Sequence, residues 1–263
     1  MRAIARAAML VVTTASCVST EGLAGDDSSA QPAVADVTQA PTAPAAKPSP
    51  CPTTTARFCL DFENKTIGDW FSTQDDVSPE ATPQEDDTAP SPPFVLATVA
   101  AAGKASWSSI FRIVTVQADT LRIEVDMNLA PPSAPHSAGF NPIVVADAAN
   151  KVQFIGYWAM PFGDVITASD GTDANTKSIT VDPAAPRGKW THASIEIGFA
   201  THGHVKMTID GRVVVDQKDV PTAAQDAAPA DGVRVYFGAQ TSADSTPNAL
   251  TRATAKYDNL QVY

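Results

Sequence analysis

The sequence of 263 residues contains no run of about 20 apolar residues, so we expect no membrane-spanning helix. Basic residues are few: 18 Lys and Arg stand against 29 Asp and Glu, and the net charge is −11. Because nucleic-acid binding depends on Lys and Arg that neutralise phosphates, this balance argues against a nucleic-acid partner and against docking on anionic lipid. No P-loop, dinucleotide-binding fingerprint or Gly-x-Ser-x-Gly nucleophile elbow is present.

Cysteine is also scarce, and the first of three cysteines ends an export-type N-terminus. The segment MRAIARAAMLVVTTASC, residues 1–17, has two arginines, a short apolar run and two small residues before Cys17. It resembles a bacterial lipoprotein signal, in which that cysteine is acylated, although Thr14 stands where the family usually has Leu. Ordinary signal-peptidase cleavage near Ala24 is the alternative. We expect an exported protein of the cell envelope or outer surface, attached to the membrane only through a lipid on Cys17.

The next segment, residues 18–56, is rich in Ala, Pro, Thr, Ser and Asp and has almost no large apolar side chains. Such a composition does not offset the entropy lost on ordering, so we predict a disordered, extended tether. Once Cys17 is assigned to lipidation, Cys51 and Cys59 remain, and export permits a disulfide between them. Two free thiols are the alternative. Residues 57–263 are enough for one domain with a well-buried core.

Period-two alternation of apolar and polar side chains recurs from residue 57 onward. The clearest case is the segment Leu121–Leu129, LRIEVDMNL, which has five apolar residues on one face. The opposite face carries a polar strip of four residues, Arg122, Glu124, Asp126 and Asn128.

Turn residues separate these alternating segments. Asp210-Gly211 lies between two alternating runs and predicts a type I′ hairpin. Residues 72–93 interrupt the alternation and are predicted to form a long acidic loop. No segment has helical spacing of its apolar residues, so we predict an all-β fold, a two-sheet antiparallel sandwich.

Four short motifs follow one another along this region. They are Asp61-Phe62-Glu63, Trp190 at the start of a strand, Val205 with the Asp210-Gly211 turn, and Tyr257-Asp258-Asn259 with Val262-Tyr263. Their order resembles the concanavalin A-like, laminin-G-like jelly-roll superfamily of lectins and glucanases. The resemblance covers residues 57–263. It implies a jelly-roll sandwich in which the first strand pairs with the last.

Glucanases of that superfamily carry Glu, Asp and Glu at alternate positions of one strand, because a retaining glycosidase needs a nucleophile and a proton donor. Here the three positions are Glu124, Asp126 and Asn128, and Asn is no proton donor at neutral pH. We therefore predict a non-catalytic, surface-tethered carbohydrate-binding module. Arg122 and the other strip residues would hydrogen-bond the sugar, and Trp158 would pack against its ring. The alternative is an ordinary polar strand face and a core tryptophan.

The resemblance also implies a structural Ca²⁺, held by Asp258 of the last strand and by Glu63 near the first strand. The alternative is that Asp258 only accepts a backbone hydrogen bond. His202 and His204 are spaced to chelate a metal, but a surface pair beside a turn is favoured. Two other functions stay open: a structural or adhesive lipoprotein that binds another protein, and an atypical glycoside hydrolase or polysaccharide lyase.

Overall fold

Alternating side chains form β-strands throughout the part of the chain that the computed structural model describes. The described residues are 51, 54–74, 76, 78–100, 106–131, 140–160, 163–241 and 253–263. Cys17, residues 1–17 and most of the segment predicted to be a tether lie outside them. A single 3₁₀ turn, Asp173–Asn175, is the one helical element among the described residues. None of the described residues belongs to a helix long and apolar enough to cross a membrane.

Fifteen strands are described, numbered in chain order. They are β1 Phe58–Leu60, β2 Phe71–Gln74, β3 Thr82–Glu85, β4 Phe94–Ala100, β5 Ser106–Val114, β6 Thr120–Leu129, β7 Phe140–Asp147, β8 Gln153–Ala159, β9 Asp164–Ser169, β10 Thr176–Val181, β11 Trp190–Gly198, β12 Gly203–Ile209, β13 Arg212–Val220, β14 Val233–Thr241 and β15 Ala253–Val262.

The strands form two antiparallel sheets that pack face to face. The eight-stranded sheet has the order β13-β12-β11-β6-β15-β4-β3, with β1 also paired to β15. The seven-stranded sheet has the order β10-β9-β8-β7-β14-β5-β2. Phe58 lies opposite Val262, which confirms that the first strand pairs with the last. The predicted two-sheet jelly-roll sandwich is therefore the observed fold.

The core lies between the sheets and is built from the apolar faces of the strands. All five apolar residues of the segment Leu121–Leu129 are at most 1% exposed, as period-two alternation requires when one face is buried. Tyr257 spans the space between the sheets. Its hydroxyl lies 2.8 Å from the carbonyl oxygen of Pro142 and 2.5 Å from that of Gly238, so a polar atom deep in the core has partners.

The structure confirms the predicted turn at Asp210-Gly211 and contradicts the prediction of a long loop over residues 72–93. The β12–β13 turn has φ of 49° at Asp210 and 77° at Gly211, as a type I′ hairpin requires. The prediction that residues 72–93 form only a loop is wrong, because β2 and β3 lie within or overlap this range. Both are four-residue strands at sheet edges, where backbone pairing with a single neighbour needs no apolar alternation.

The start of the domain is fastened to its last strand. Cys51 and Cys59 form a disulfide, with their Cα atoms 5.3 Å apart. The Arg57 amide donates to the Val262 carbonyl oxygen at 2.9 Å, and the Thr54 hydroxyl donates to Gln261 Oε1 at 2.5 Å. This cross-link and these bonds hold the segment before β1 against β15.

Candidate functional site

The polar strip predicted from the sequence lies on the outer face of the eight-stranded sheet, where β6 runs between β11 and β15. Arg122 forms an ion pair with Glu124, and its guanidinium carbon lies 5.0 Å from the centre of the Tyr263 ring. The Tyr263 hydroxyl donates to Glu124 Oε2 at 3.2 Å. The charges at this end of the strip are therefore engaged with each other.

At the other end of the strip, Asp126 is paired with side chains of the two neighbouring strands. Asp126 Oδ1 lies 2.9 Å from His192 Nδ1, and Asp126 Oδ2 accepts a hydrogen bond of 2.8 Å from the Asn259 side chain. Asn128 lies opposite Trp190 on β11 and Lys256 on β15. Arg122, Glu124 and Asp126 are therefore engaged with each other or with side chains of the neighbouring chain segments.

Trp158, the aromatic residue predicted to accompany the strip, belongs to β8 of the other sheet. Its indole nitrogen donates to Thr167 Oγ1 at 3.2 Å. The structure therefore does not bring the five predicted sugar-binding residues together, since the strip and Trp158 lie on opposite sides of the sandwich. Alternation assigns a residue to the inner or outer face of a strand, but it does not determine which sheet that strand joins.

Asp258 and Glu63, the predicted calcium ligands, have different surroundings. Asp258 is fully buried; its Oδ2 accepts bonds from the Ser91 amide at 2.8 Å and hydroxyl at 2.9 Å. Burial raises the pKa of Asp258 to about 7, against the lowering effect of the Ser91 bonds, and nearby Asp126 adds to the rise. Glu63 is exposed, and the described residues contain no cluster of three His, Cys, Asp or Glu fit for a metal. This donor set does not supply a calcium shell, and Ca²⁺ binding stays a prediction.

His202 and His204 pair with separate carboxylates instead of pointing to a common centre. His202 Nδ1 lies 2.6 Å from Asp219 Oδ1, and His204 Nε2 lies 3.1 Å from Glu196 Oε1. Both histidines line a hollow of about 490 Å³ at the end of the eight-stranded sheet.

A different arrangement occupies the outer face of the seven-stranded sheet. The strand register places one residue from each strand directly opposite the next, which forms a continuous row across the sheet. From β2 to β10 this cross-strand row is Phe71, Phe111, Tyr236, Val144, Gly156, Thr167 and Ser178.

The first three members of the row, together with Trp107 of β5, form an aromatic platform, which we define as Phe71, Trp107, Phe111 and Tyr236. The Phe71 and Phe111 rings stack with centroids 5.4 Å apart, and the Phe111 and Tyr236 centroids are 5.2 Å apart. Phe71 is 59% exposed and Trp107 is 37% exposed. An exposed group of aromatic rings on a sheet face is typical of a binding surface rather than of a core.

The platform borders a groove of about 410 Å³. The described residues that line it include two cations, Arg234 and Lys151, and no carboxylate, although the whole chain has a net charge of −11. Arg234 is held in place: its guanidinium carbon lies 4.8 Å from the Phe111 ring centre, and its Nε donates to the Ala148 carbonyl oxygen at 2.7 Å. Its Nη1 lies 3.3 Å from the Tyr236 hydroxyl.

Polar side chains complete the lining between these cations. Gln153 of β8, Gln240 of β14 and Ser109 of β5 face the groove together with Asn150 of the β7–β8 turn. The groove therefore combines flat apolar rings, fixed positive charge and neutral hydrogen-bonding groups, which is the composition of a site for a polar, ring-shaped, anionic ligand.

A signal for this site was present in the sequence. Arg234 and Tyr236 are the outward members of the alternating strand Val233–Thr241, and Trp107 and Phe111 are outward members of Ser106–Val114. Outward aromatic residues on strands with a buried opposite face are the pattern to seek. What the sequence did not show is that β14 and β5 are neighbours.

No protein-family model matches the sequence, and no curated protein matches it significantly. Among solved structures, an endo-β-1,4-glucuronan lyase from the fungus Trichoderma reesei aligns with a TM-score of 0.63 at 11% identity, over 79% of this chain and 95% of that chain. Alginate lyase vAL-1 from Chlorella virus gives 0.56 at 11%, over 79% and 98%. The binding domain of botulinum neurotoxin serotype C1 gives 0.51 at 11%, over 74% and 44%. At these identities the likeness shows the fold.

Proposed function

We propose that the domain is a carbohydrate-binding module that holds an acidic polysaccharide in the groove on the seven-stranded sheet. The main support is the sign of the local charge. The chain is strongly acidic, but the described lining of this groove has two cations, Arg234 and Lys151, and no carboxylate. Placement of cations without anions favours an anionic ligand.

The chemistry of the lining supports a sugar as the anionic ligand. The apolar face of a pyranose ring packs on an aromatic side chain, and its hydroxyl groups need donors and acceptors such as Gln153 and Gln240. A planar guanidinium matches a carboxylate geometrically, so Arg234 is suited to the acid group of a uronic acid. Two of the structural neighbours are named as lyases for glucuronan and alginate, which are acidic polysaccharides.

The position of the module outside the cell is part of the same proposal. A disulfide between Cys51 and Cys59 is expected of an exported protein. A tether over residues 18–56, with its last residues fastened to the domain by the disulfide and by Thr54, and a lipid on Cys17 would hold the domain near a membrane surface, where it would capture polysaccharide. The lipid anchor rests on the N-terminal sequence alone.

The test is a binding comparison across the two outer faces of the sandwich. Calorimetry of the full chain with alginate, polyglucuronate and a neutral β-glucan should show binding to an acidic polymer and weaker or no binding to the neutral one. Arg234→Gln should weaken binding to the acidic polymer at least tenfold, because it removes the fixed cation. Arg122→Gln changes the same residue type on the polar strip and should leave binding unchanged. Loss of binding in Arg122→Gln but not in Arg234→Gln would place the site on the strip.

A polysaccharide lyase is the second candidate, and the Arg234–Tyr236 pair favours it. In a lyase a base removes the proton from the carbon beside the uronate carboxylate. The bond from the adjacent carbon to the glycosidic oxygen breaks, a double bond forms between these two carbons, and the leaving oxygen takes up a proton. The Tyr236 hydroxyl, 3.3 Å from Arg234 Nη1, is placed to exchange a proton beside a cation that neutralises the carboxylate.

The ultraviolet absorbance of the unsaturated product separates the two candidates. A lyase releases this absorbing product from an acidic polymer, and Tyr236→Phe should abolish the release while binding persists. A binding module releases none in either form. Hydrolysis by Glu124 and Asp126 is disfavoured, since both carboxylates lie on the opposite face and are engaged with neighbouring side chains.

A further inference from the structure

A second hollow, of about 290 Å³, lies on the same outer face as the groove. It shares Lys151, Val152 and Gln153 with the groove, so the two depressions adjoin. The remaining lining comes mainly from β8 and β9 and the segment leading to β10. We call it the hydroxyl pocket, because its side chains include Thr167, Ser169, Thr172 and Thr176, together with Trp158.

Gln153, which lines both the groove and the hydroxyl pocket, extends over Gly156. A Cβ atom there would lie 2.1 Å from Gln153 Nε2, 2.9 Å from Thr167 Oγ1 and 3.2 Å from Trp158 Nε1. The missing side chain is what lets these three polar ends meet at one point of the sheet surface. Gln153 belongs to both depressions, so the convergence connects them.

The cross-strand row gives this surface a direction. Its aromatic members, Phe71, Phe111 and Tyr236, lie at one end, and Thr167 and Ser178 lie at the other. The row crosses six inter-strand steps, which spans roughly 29 Å at the usual spacing of antiparallel strands. A surface of this length is longer than one sugar ring and runs perpendicular to the strands.

We infer that the hydroxyl pocket is a second subsite for the same polysaccharide, which lies along the cross-strand row and places further sugar units there. This inference rests on the proposed function of the groove. The groove binds the ring face and the acid group, whereas the hydroxyl pocket accepts hydrogen bonds from sugar hydroxyls. Thr167 already donates to the Gly156 carbonyl oxygen at 3.3 Å and Thr172 to Asp170 Oδ1 at 2.7 Å, but both hydroxyl oxygens keep a lone pair that can accept a further bond. Trp158 is oriented by its bond to Thr167 and packs beside the bound unit.

The inference predicts a dependence of affinity on chain length. Calorimetry of the full chain with purified uronic-acid oligosaccharides from alginate and polyglucuronate, from the disaccharide to the decasaccharide, should show affinity that rises with length. The rise should stop once an oligosaccharide covers both subsites. Thr167→Val keeps the side-chain shape but removes the hydroxyl, and Gly156→Ala displaces the converging polar ends. Both should lower the affinity for long oligosaccharides at least tenfold. Thr167→Val should do so without changing the affinity for short ones, whereas Gly156→Ala should also weaken short ones, because the displaced Gln153 lines the groove as well.

The matched control is Thr208→Val, which removes a hydroxyl from β12 on the outer face of the other sheet and should bind every length as wild type does. Affinity that is independent of length, or equal losses for short and long oligosaccharides in Thr167→Val, would overturn the second subsite while leaving the groove in place. Failure of every length to bind the wild-type chain would instead reject the proposed function itself.

Discussion

At the scale of the residue, Asp258 is an acid held away from solvent, and this makes stability depend on pH. Its pKa in the folded chain is about 7, above the ordinary value of 3.8, chiefly because burial disfavours the charged form. The folded chain therefore binds this proton more tightly than the unfolded chain does. Its contribution to the free energy of unfolding is greatest below the ordinary value and is lost as pH rises toward 7, by up to about 1.4 kcal/mol per pH unit.

Urea unfolding across this pH range measures the effect. Asp258→Asn should remove this part of the pH dependence, because the amide does not titrate. In Ser91→Ala the free energy of unfolding should keep falling to a higher pH than in wild type, since this change removes the hydroxyl bond that lowers the pKa of Asp258. The assignment to Asp258 fails if the Asn variant keeps the wild-type slope.

The polar strip shows what residue patterns do and do not predict. Alternation correctly placed Arg122, Glu124, Asp126 and Asn128 on the outer face of β6. It did not show their partners, because His192, Asn259 and Tyr263 come from distant parts of the sequence. A strip of polar residues reads the same in sequence whether its members face a ligand or each other.

At the scale of the element, the β12–β13 hairpin depends on one backbone conformation. Gly211 has φ of 77°, and a Cβ atom there would meet nothing within 4 Å. A side chain at this position is therefore disfavoured only by the backbone conformation and not by a steric clash with other residues. Gly211→Ala should lower the free energy of unfolding by about 1 kcal/mol, because this region is unfavourable for residues with a Cβ. Gly211→Asn is the matched control and should lose less, since Asn tolerates positive φ. Urea denaturation of both variants measures the difference, and equal losses would contradict the conformational explanation.

Interior strands were easier to predict than edge strands. The segment Leu121–Leu129 has strands on both sides and one buried face, so its apolar pattern is strict. Two strands lie at sheet edges and carry mostly polar or half-buried residues, Phe71–Gln74 and Thr82–Glu85. Because they lack apolar alternation, the sequence pattern predicted a loop there.

At the scale of the whole molecule, the disulfide joins the segment before the sandwich to its first strand. Cys51 and Cys59 enclose a short loop that leads into β1, which pairs with β15. Replacing both cysteines by Ser should lower the free energy of unfolding by about 2.5 kcal/mol through the greater freedom of the unfolded chain. Thermal and urea unfolding should show wild-type protein in reductant behaving like the double variant. Unchanged stability in both cases would show that the β1–β15 pairing holds this end without the cross-link.

The sequence by itself determined the alternation of faces, the type I′ turn and the all-β class, because each depends on residues close together along the chain. Only the tertiary structure decided the position of the candidate site. The cross-strand row joins Phe71 to Tyr236 and Ser178, and it exists only because hydrogen bonding and core packing place seven separated strands side by side. Local patterns determine which way a side chain points, whereas lateral strand order arises from long-range contacts, and that order brought cations, rings and hydroxyls onto one face.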